Sequence, residues 1–209
     1  MKPQNVIRIL IALNVLVFLA WSFPSLGIFT PEYMIDNFLV SYDRLEEGRY
    51  WTLLTSVFSH NMLLHLVINM FVLNSFGPVV VFTLGTARFL KFYISAGIVA
   101  SIGHALVSAF IIGNPEIPAL GASGAIAGMV LLFSLLYPKQ KILLFAIIPM
   151  PAVVGALAFV ALDIWGVIAQ RGGGGLPIGH GAHLGGALAG FIYYLVIRTK
   201  FRRSENEPR

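Results

Sequence analysis

The chain reads as long apolar runs separated by short clusters of charged residues, prolines and glycines. Six runs stand out, at about 6–23, 60–84, 92–112, 121–137, 142–165 and 178–197. Each is close to the roughly 20 residues that a helix needs to cross a bilayer. The second and third are separated only by a short predicted turn at 85–91, and each of the other breaks carries charge, Pro or Gly. The first run follows Lys2 and Arg8, as a signal peptide would, but it leads into Trp21, Ser22, Phe23 and Pro24 with no small-x-small cleavage site. With five further runs behind it, it reads as a retained span. The pattern predicts an all-α polytopic membrane protein, a single domain over 1–209 built as a bundle of six transmembrane helices.

Composition agrees with the pattern. Apolar residues make up 57% of the chain and charged residues 11%, and mean hydropathy is +0.84. A soluble domain carries about a quarter charged residues, so most of this surface faces something other than water, namely a lipid bilayer. There are no cysteines, which excludes disulfides and thiolate metal sites. The net charge of +5 does not point to nucleic acid. The basic residues sit at the ends of the apolar runs, not in a patch with interleaved aromatics. With the N-terminus inside, eleven of the fourteen Lys and Arg fall on the inner side, and only Arg44, Arg49 and Arg171 on the outer. That asymmetry predicts a multi-pass protein of the cell membrane with both termini cytoplasmic and a basic cytoplasmic tail at 198–209. The long outer connection, 24–59, mixes apolar residues with Asp36, Asp43, Glu46 and Glu47, and reads as a partly structured interfacial segment. The glycines at 172–175 read as a tether, since no Lys-Ser/Thr follows as in a phosphate-binding loop.

Polar groups inside spans are expensive and therefore informative. The candidates are His60, His65, Asn69, Asn74, His104, Ser123, His180 and His183. The break at 113–118 places Ser123 in the first turn of the fourth span. Ser123 lies 16 residues before Lys139 and His183 lies 15 before Arg198, which puts them roughly 24 and 22 Å from the inner ends of their helices. The two side chains are thus expected at similar depth, near the outer surface. Gly124 and Gly128 on one span, and Ala182, Gly186 and Gly190 on the other, have the small-xxx-small spacing that lets backbones approach in lipid. A serine hydroxyl beside an imidazole is an activated nucleophile. Acyl transfer also needs oxyanion donors. The backbone N–H of Ser123 at a helix start is one, and His65 and Asn69, four residues apart on one face of the second span, are the expected side-chain donors. His104 reads as an interhelical hydrogen-bonding residue. His180 reads as an outer-surface residue that is solvated or anchors a loop.

At these residues the chain resembles the rhomboid family of intramembrane serine proteases. The matching pieces are Gly121-Ala122-Ser123-Gly124, Gly181-Ala182-His183-Leu184-Gly185-Gly186, and His60 with His65-x-x-x-Asn69, on spans four, six and two. The resemblance implies a six-helix rhomboid-like bundle with Ser123 as nucleophile and His183 as general base, a dyad without an acidic third member. It implies His65 and Asn69 in the oxyanion hole, with His60, Gly121 and Gly186 in support. It also implies transmembrane protein substrates, no cofactor and no metal. Asp163 is then expected to be an interfacial residue near the outer end of the fifth span. Three features depart from the family's pattern. Thr52 follows Trp51 where Arg is common, Ala127 stands where an aromatic often packs on the histidine, and Val79, Val80 and Val81 stand where a Glu is frequent. A catalytically silent rhomboid-like protein that binds transmembrane clients is the alternative. A small transporter is a third, disfavoured because the buried polar groups cluster toward one side.

Overall fold

A computed structural model describes residues 2–23, 29–144 and 148–206, with side chains described up to residue 199 except at 144. The start of the long outer connection at 24–28 and the end of the basic tail, Arg209 included, lie outside the described residues. Helix α1 spans Pro3–Ser22 and starts on a proline, whose missing N–H costs nothing in a first turn. The connection to the next long helix is structured. It holds α2 (Pro31–Phe38), α3 (Tyr42–Glu46), α4 (Thr52–Thr55) and a 3-10 turn at Ser56–Phe58. Thr30 caps α2, its hydroxyl accepting from the Tyr33 N–H at 3.1 Å.

Helix α5 (Leu63–Leu84) and helix α6 (Thr86–Leu106) meet at the single residue Gly85, whose φ of +79° lets one helix end and the next begin at once. The predicted turn at 85–91 is therefore too long. Helix α6 continues through a wider π-helical turn at Val107–Ile112 and stops at Gly113. Helix α7 covers Ser123–Leu136. Two strands follow, β1 (Lys141–Leu144) and β2 (Ile148–Pro151), paired antiparallel with Lys141 opposite Pro151. Helix α8 (Ala152–Arg171) and helix α9 (His180–Asn206) complete the chain.

The sequence places the fifth span at 142–165, but the helix starts ten residues later and ends at Arg171. The reason is local: Pro149 and Pro151 lack an N–H and hold the residues before them extended. The segment pairs as a hairpin, and the helix starts immediately after Pro151. The fourth span is also shorter than expected. At 14 residues, α7 extends about 21 Å, short of the ~30 Å hydrocarbon core. Five helices among the described residues are long and apolar enough to cross a membrane: α1, α5, α6 with its extension, α8 and the first 20 residues of α9. With α7 as the short sixth, the architecture is a polytopic helical bundle.

Helix α7 is the hub, with 11 of its 14 residues buried. Its tightest neighbour is α9. A Cβ on Gly128 would lie 2.5 Å from the Gly186 carbonyl oxygen, and one on Gly186 or Gly190 would collide with the carbonyl of Gly124 or Gly128. The two helices run side by side in one direction, glycine against glycine. Helix α6 packs on α9 in the same manner, through Gly103 against Gly181 and Gly185 against Val99. Between helices in lipid there is no hydrophobic drive, so close backbone packing supplies the association energy. Helix α1 joins more peripherally, Ile7 filling the notch at Gly77 of α5. The outer faces of α5 and α8 are apolar and exposed, with Leu64, Phe71, Leu157 and Trp165 among the examples.

The connection after α1 is tied across to the loop before α7. Val40 and Ala119 exchange backbone hydrogen bonds at 3.0 and 2.8 Å, and the Gly121 N–H donates to the Ser56 carbonyl at 2.9 Å. Thr52 is fully buried, its hydroxyl donating to the Arg49 carbonyl at 2.7 Å. Cationic anchoring comes instead from Arg44 and Arg49, which reach Asp36 at 3.1 and 2.6 Å. The hydrogen bond from Arg44, then that from Arg49, holds the Asp36 carboxyl below the ordinary carboxylate value.

Two outcomes follow from this packing. Gly186→Val puts methyls into the Gly124 backbone, which cannot move aside, and should lower stability by about 3 kcal/mol, read as an earlier midpoint in denaturing-detergent unfolding. Asp36→Asn should release Arg44, leave Arg49 with only its 3.0 Å pairing to Glu47, and speed tryptic cleavage of the α2–α4 segment at neutral pH, with the unfolding midpoint of the bundle unchanged. Because the folded value is depressed, the same anchoring in the unmutated chain is present above the ordinary carboxylate value and is lost as pH falls through the lower, folded one.

Candidate functional site

Three helices of the bundle, α5, α7 and α9, begin at the same end, and their first turns converge. His65 lies in the first turn of α5, Ser123 opens α7, and His180 and His183 lie in the first turn of α9. The first N–H groups of a helix have no partner within it, and the positive end of its dipole lies there. The convergence therefore gathers several positive helix ends around one spot. Helix α7 is shorter than the helices around it, and the loop at 113–122 leads directly into its first turn.

Gly121 makes the approach possible. Its φ of +121° suits a residue without a side chain, and a Cβ there would lie 2.7 Å from His65 Cε1. The imidazole of His65 thus rests against the backbone two residues before Ser123. On the other side, a Cβ on Gly124 would lie 3.1 Å from the Ala182 carbonyl, so the residues next to Ser123 and His183 touch. No hydrogen bond joins the Ser123 hydroxyl to His183 in this structure.

His183 is engaged elsewhere. Its Nδ1–H donates to Asp163 Oδ1 at 2.9 Å, and the Nδ1–H of His180 donates to the same oxygen at 2.6 Å. The side chains keep 11%, 10% and 5% of their exposure for His183, His180 and Asp163, so the array is shielded from solvent. This overturns two expectations. Asp163 is not interfacial but sits mid-helix in α8, and the histidine does have an acidic neighbour. The cause is the shift of the fifth span: with its bounds moved from 142–165 to Ala152–Arg171, Asp163 moves from near the helix end into its interior. His180 is likewise a buried partner of Asp163, not a solvated residue.

Asn69 is buried but not free. Its amide Nδ2–H groups point at the His65 carbonyl at 3.0 Å and at His60 Nε2 at 3.1 Å. His60, fully buried, also has the Ala122 N–H at 3.5 Å from Nε2 and packs edge-on against His65, ring centroids 4.9 Å apart. His60 and Asn69 thus brace His65 and the turn into α7. His104 donates from Nε2 to the Ile117 carbonyl at 2.9 Å, so it fixes the loop before α7 and not a neighbouring helix. Phe159 of α8 lies against His183 with ring centroids 5.3 Å apart. It supplies from another helix the aromatic contact that Ala127 cannot make. Among the described residues, the His/Asp/Glu donor atoms close enough to surround a cation are those of Asp163, His180 and His183, within 4.8 Å of one another. The same three side chains form the two short hydrogen bonds.

A fold of this kind, with a Gly-x-Ser-Gly helix start packed on a histidine-bearing glycine-rich helix, is that of the rhomboid intramembrane proteins. The model of the Rhomboid domain matches residues 47–200, and the chain belongs to the rhomboid family. It is 32% identical to RHOMBOID-like protein 12, mitochondrial, of Arabidopsis thaliana, over 97% of this chain and 61% of that protein. It is 35% identical to Rhomboid protein 1, mitochondrial, of Saccharomyces cerevisiae, over 91% of this chain and 53% of that protein. Against the Presenilin-associated rhomboid-like protein, mitochondrial, of Homo sapiens, the identity is 34% over 98% of this chain and 51% of that protein. The chain thus spans about half to three-fifths of the length of these relatives.

Gly121→Ala tests the tight turn. It forces a side chain into a backbone region that L residues avoid and onto the His65 ring, and should cost about 1–3 kcal/mol of stability in denaturant unfolding.

Proposed function

We propose that this chain is an intramembrane serine endopeptidase that hydrolyses peptide bonds in or near transmembrane segments of membrane-protein substrates. The observation that carries this reading is the orientation of His183 beside the start of α7. Its Nδ1–H is committed to Asp163, which leaves Nε2 with a lone pair, the form a general base needs. Ser123 stands in the adjacent first turn, next to the Gly124–Ala182 contact.

In this mechanism the Ser123 hydroxyl attacks the scissile carbonyl carbon while Nε2 of His183 takes its proton. The carbonyl oxygen becomes an oxyanion, stabilised by the Ser123 N–H, the positive end of α7 and His65. The C–N bond then breaks, and the leaving amine takes the proton from His183. A water molecule, deprotonated by the same Nε2, attacks the acyl-serine; the Ser123 oxygen leaves and recovers the proton, releasing the acid. Asn69 joins the oxyanion hole when one of its two amide hydrogens leaves its present acceptor. His60, Gly121 and Gly186 support the site by holding His65, the turn and the α7–α9 contact. The substrates are membrane proteins that approach through the surrounding bilayer. No cofactor or metal takes part in these steps. In this reading the protein is a multi-pass protein of the cell membrane, and the distribution of basic residues supports an orientation with both termini on the cytoplasmic side.

The missing Ser123–His183 hydrogen bond favours a second reading, a catalytically silent relative that binds transmembrane clients. Hydrogen bonds at resting active sites are often long and tighten only with substrate, so the peptidase reading stands first. Fluorophosphonate labelling of the full chain in detergent decides between them. The wild type should label and should cleave a model transmembrane substrate, while Ser123→Ala and His183→Ala should do neither. A folded wild type that fails both assays would leave the silent reading.

A further inference from the structure

A carboxylate buried in the middle of a membrane helix is costly unless it is fully engaged. Asp163 is engaged on one oxygen by two imidazoles, at 2.6 and 2.9 Å. One face of α8 is given over to these rings. Phe159, Asp163 and Gly166 follow at spacings of four and three, so they lie on a single face. Phe159 packs on the His183 ring, Asp163 accepts from both histidines, and Gly166 leaves the space that the His180 ring occupies. Any Cβ at position 166 would overlap that ring. His180 is therefore wedged in place, and it fixes the carboxylate that in turn orients His183.

We propose that Asp163 is a positioning residue for the reaction and that His180 is its anchor. The hydrogen-bonded row runs from His180 through Asp163 to His183 and leaves Nε2 of His183 as the ring nitrogen available to Ser123. Three consequences follow from this chemistry. The carboxylate selects the Nδ1–H tautomer of His183. It balances the imidazolium formed when His183 takes the serine proton, in surroundings where charge is poorly screened. The second donor, His180, holds the carboxylate stationary when His183 changes its charge. The proposal rests on the serine-peptidase reading for its kinetic part, while its structural part can be read without turnover.

The test uses the full chain in detergent with a model transmembrane substrate. Asp163→Asn presents an N–H to Nδ1 and imposes the wrong tautomer, so kcat should fall by about 10²–10⁴-fold with KM held within roughly threefold. His180→Leu removes the anchor and should lower kcat by about tenfold, because one hydrogen bond to a charged group is lost. His180→Asn retains a donor near the Nδ1 position and should stay within about threefold of wild type. Nitrogen-15 spectra of histidine-labelled protein, assigned with His183→Ala, should place the neutral His183 proton on Nδ1 in wild type and on Nε2 in Asp163→Asn. A merely structural Asp163 would change unfolding and not this signature.

Asp163→Asn turning over within threefold of wild type overturns the proposal. So does His180→Asn falling as far as His180→Leu, or a wild-type His183 with its neutral proton on Nε2. The last measurement decides the matter even if Asp163→Asn does not fold. A wild type that neither labels nor cleaves overturns the peptidase reading and the kinetic part of this proposal, whereas the spectra still decide whether Asp163 sets the His183 tautomer.

Discussion

The contact on which the rest depends is the backbone-to-backbone approach of α7 and α9. Gly124 and Gly128 on one helix and Gly186 and Gly190 on the other leave no room for a side chain between them. That approach brings the first turns of two helices into register and sets Ser123 and His183 on neighbouring residues. Helix α6 closes on α9 by the same device, so α9 is gripped on two sides by backbone and not by interdigitating side chains. Backbone atoms have few ways to rearrange, so the spacing at the site is fixed by parts of the protein that cannot repack.

Much of this could be read from the sequence because it rests on strong local signals. Length and apolarity gave the helices, and the spacing of small residues gave the α7–α9 contact. What could not be read rests on short-range backbone chemistry inside an apolar run. Pro149 and Pro151 lie in a stretch that hydropathy treats as continuous with the helix after it. Their effect on the backbone moves the start of α8 to Ala152, the helix runs on to Arg171, and Asp163 lies inside it and not at its end. The prolines were the available signal. Weighing them against hydropathy would have placed a lone acid mid-membrane, where it must have partners, and His180 and His183 were already in view. The short-range geometry of Asn69 was invisible in the sequence, since His65 at i−4 marks a shared face but not where an amide points.

The three features that depart from the family's usual pattern are each offset elsewhere. Thr52 stabilises its own turn through the Arg49 carbonyl, while Arg44 and Arg49 hold Asp36 from nearby positions. Ala127 is buried at the α7 core, and Phe159 reaches His183 from α8. Val80 and Val81 fill the core, and the end of α5 is tied to α7 through Thr83 and Tyr137, oxygen to oxygen at 2.8 Å. Each physical requirement is met by residues at other positions, which a position-by-position reading cannot detect.

The brevity of α7 has a consequence for how the protein lives with its lipid. A spanning helix in contact with lipid responds to bilayer thickness by tilting or by deforming the membrane around it. Helix α7 is enclosed by protein, and the space beyond its first turn is occupied by irregular backbone, which is tolerated at such depth only within protein or beside water. The depth of Ser123 is therefore set by its neighbours and not by the length of the surrounding acyl chains. A thinner or thicker membrane is absorbed by the exposed faces of α5 and α8, while the serine keeps its distance from the protein surface. The bundle carries its own depth reference for the serine from one membrane to another.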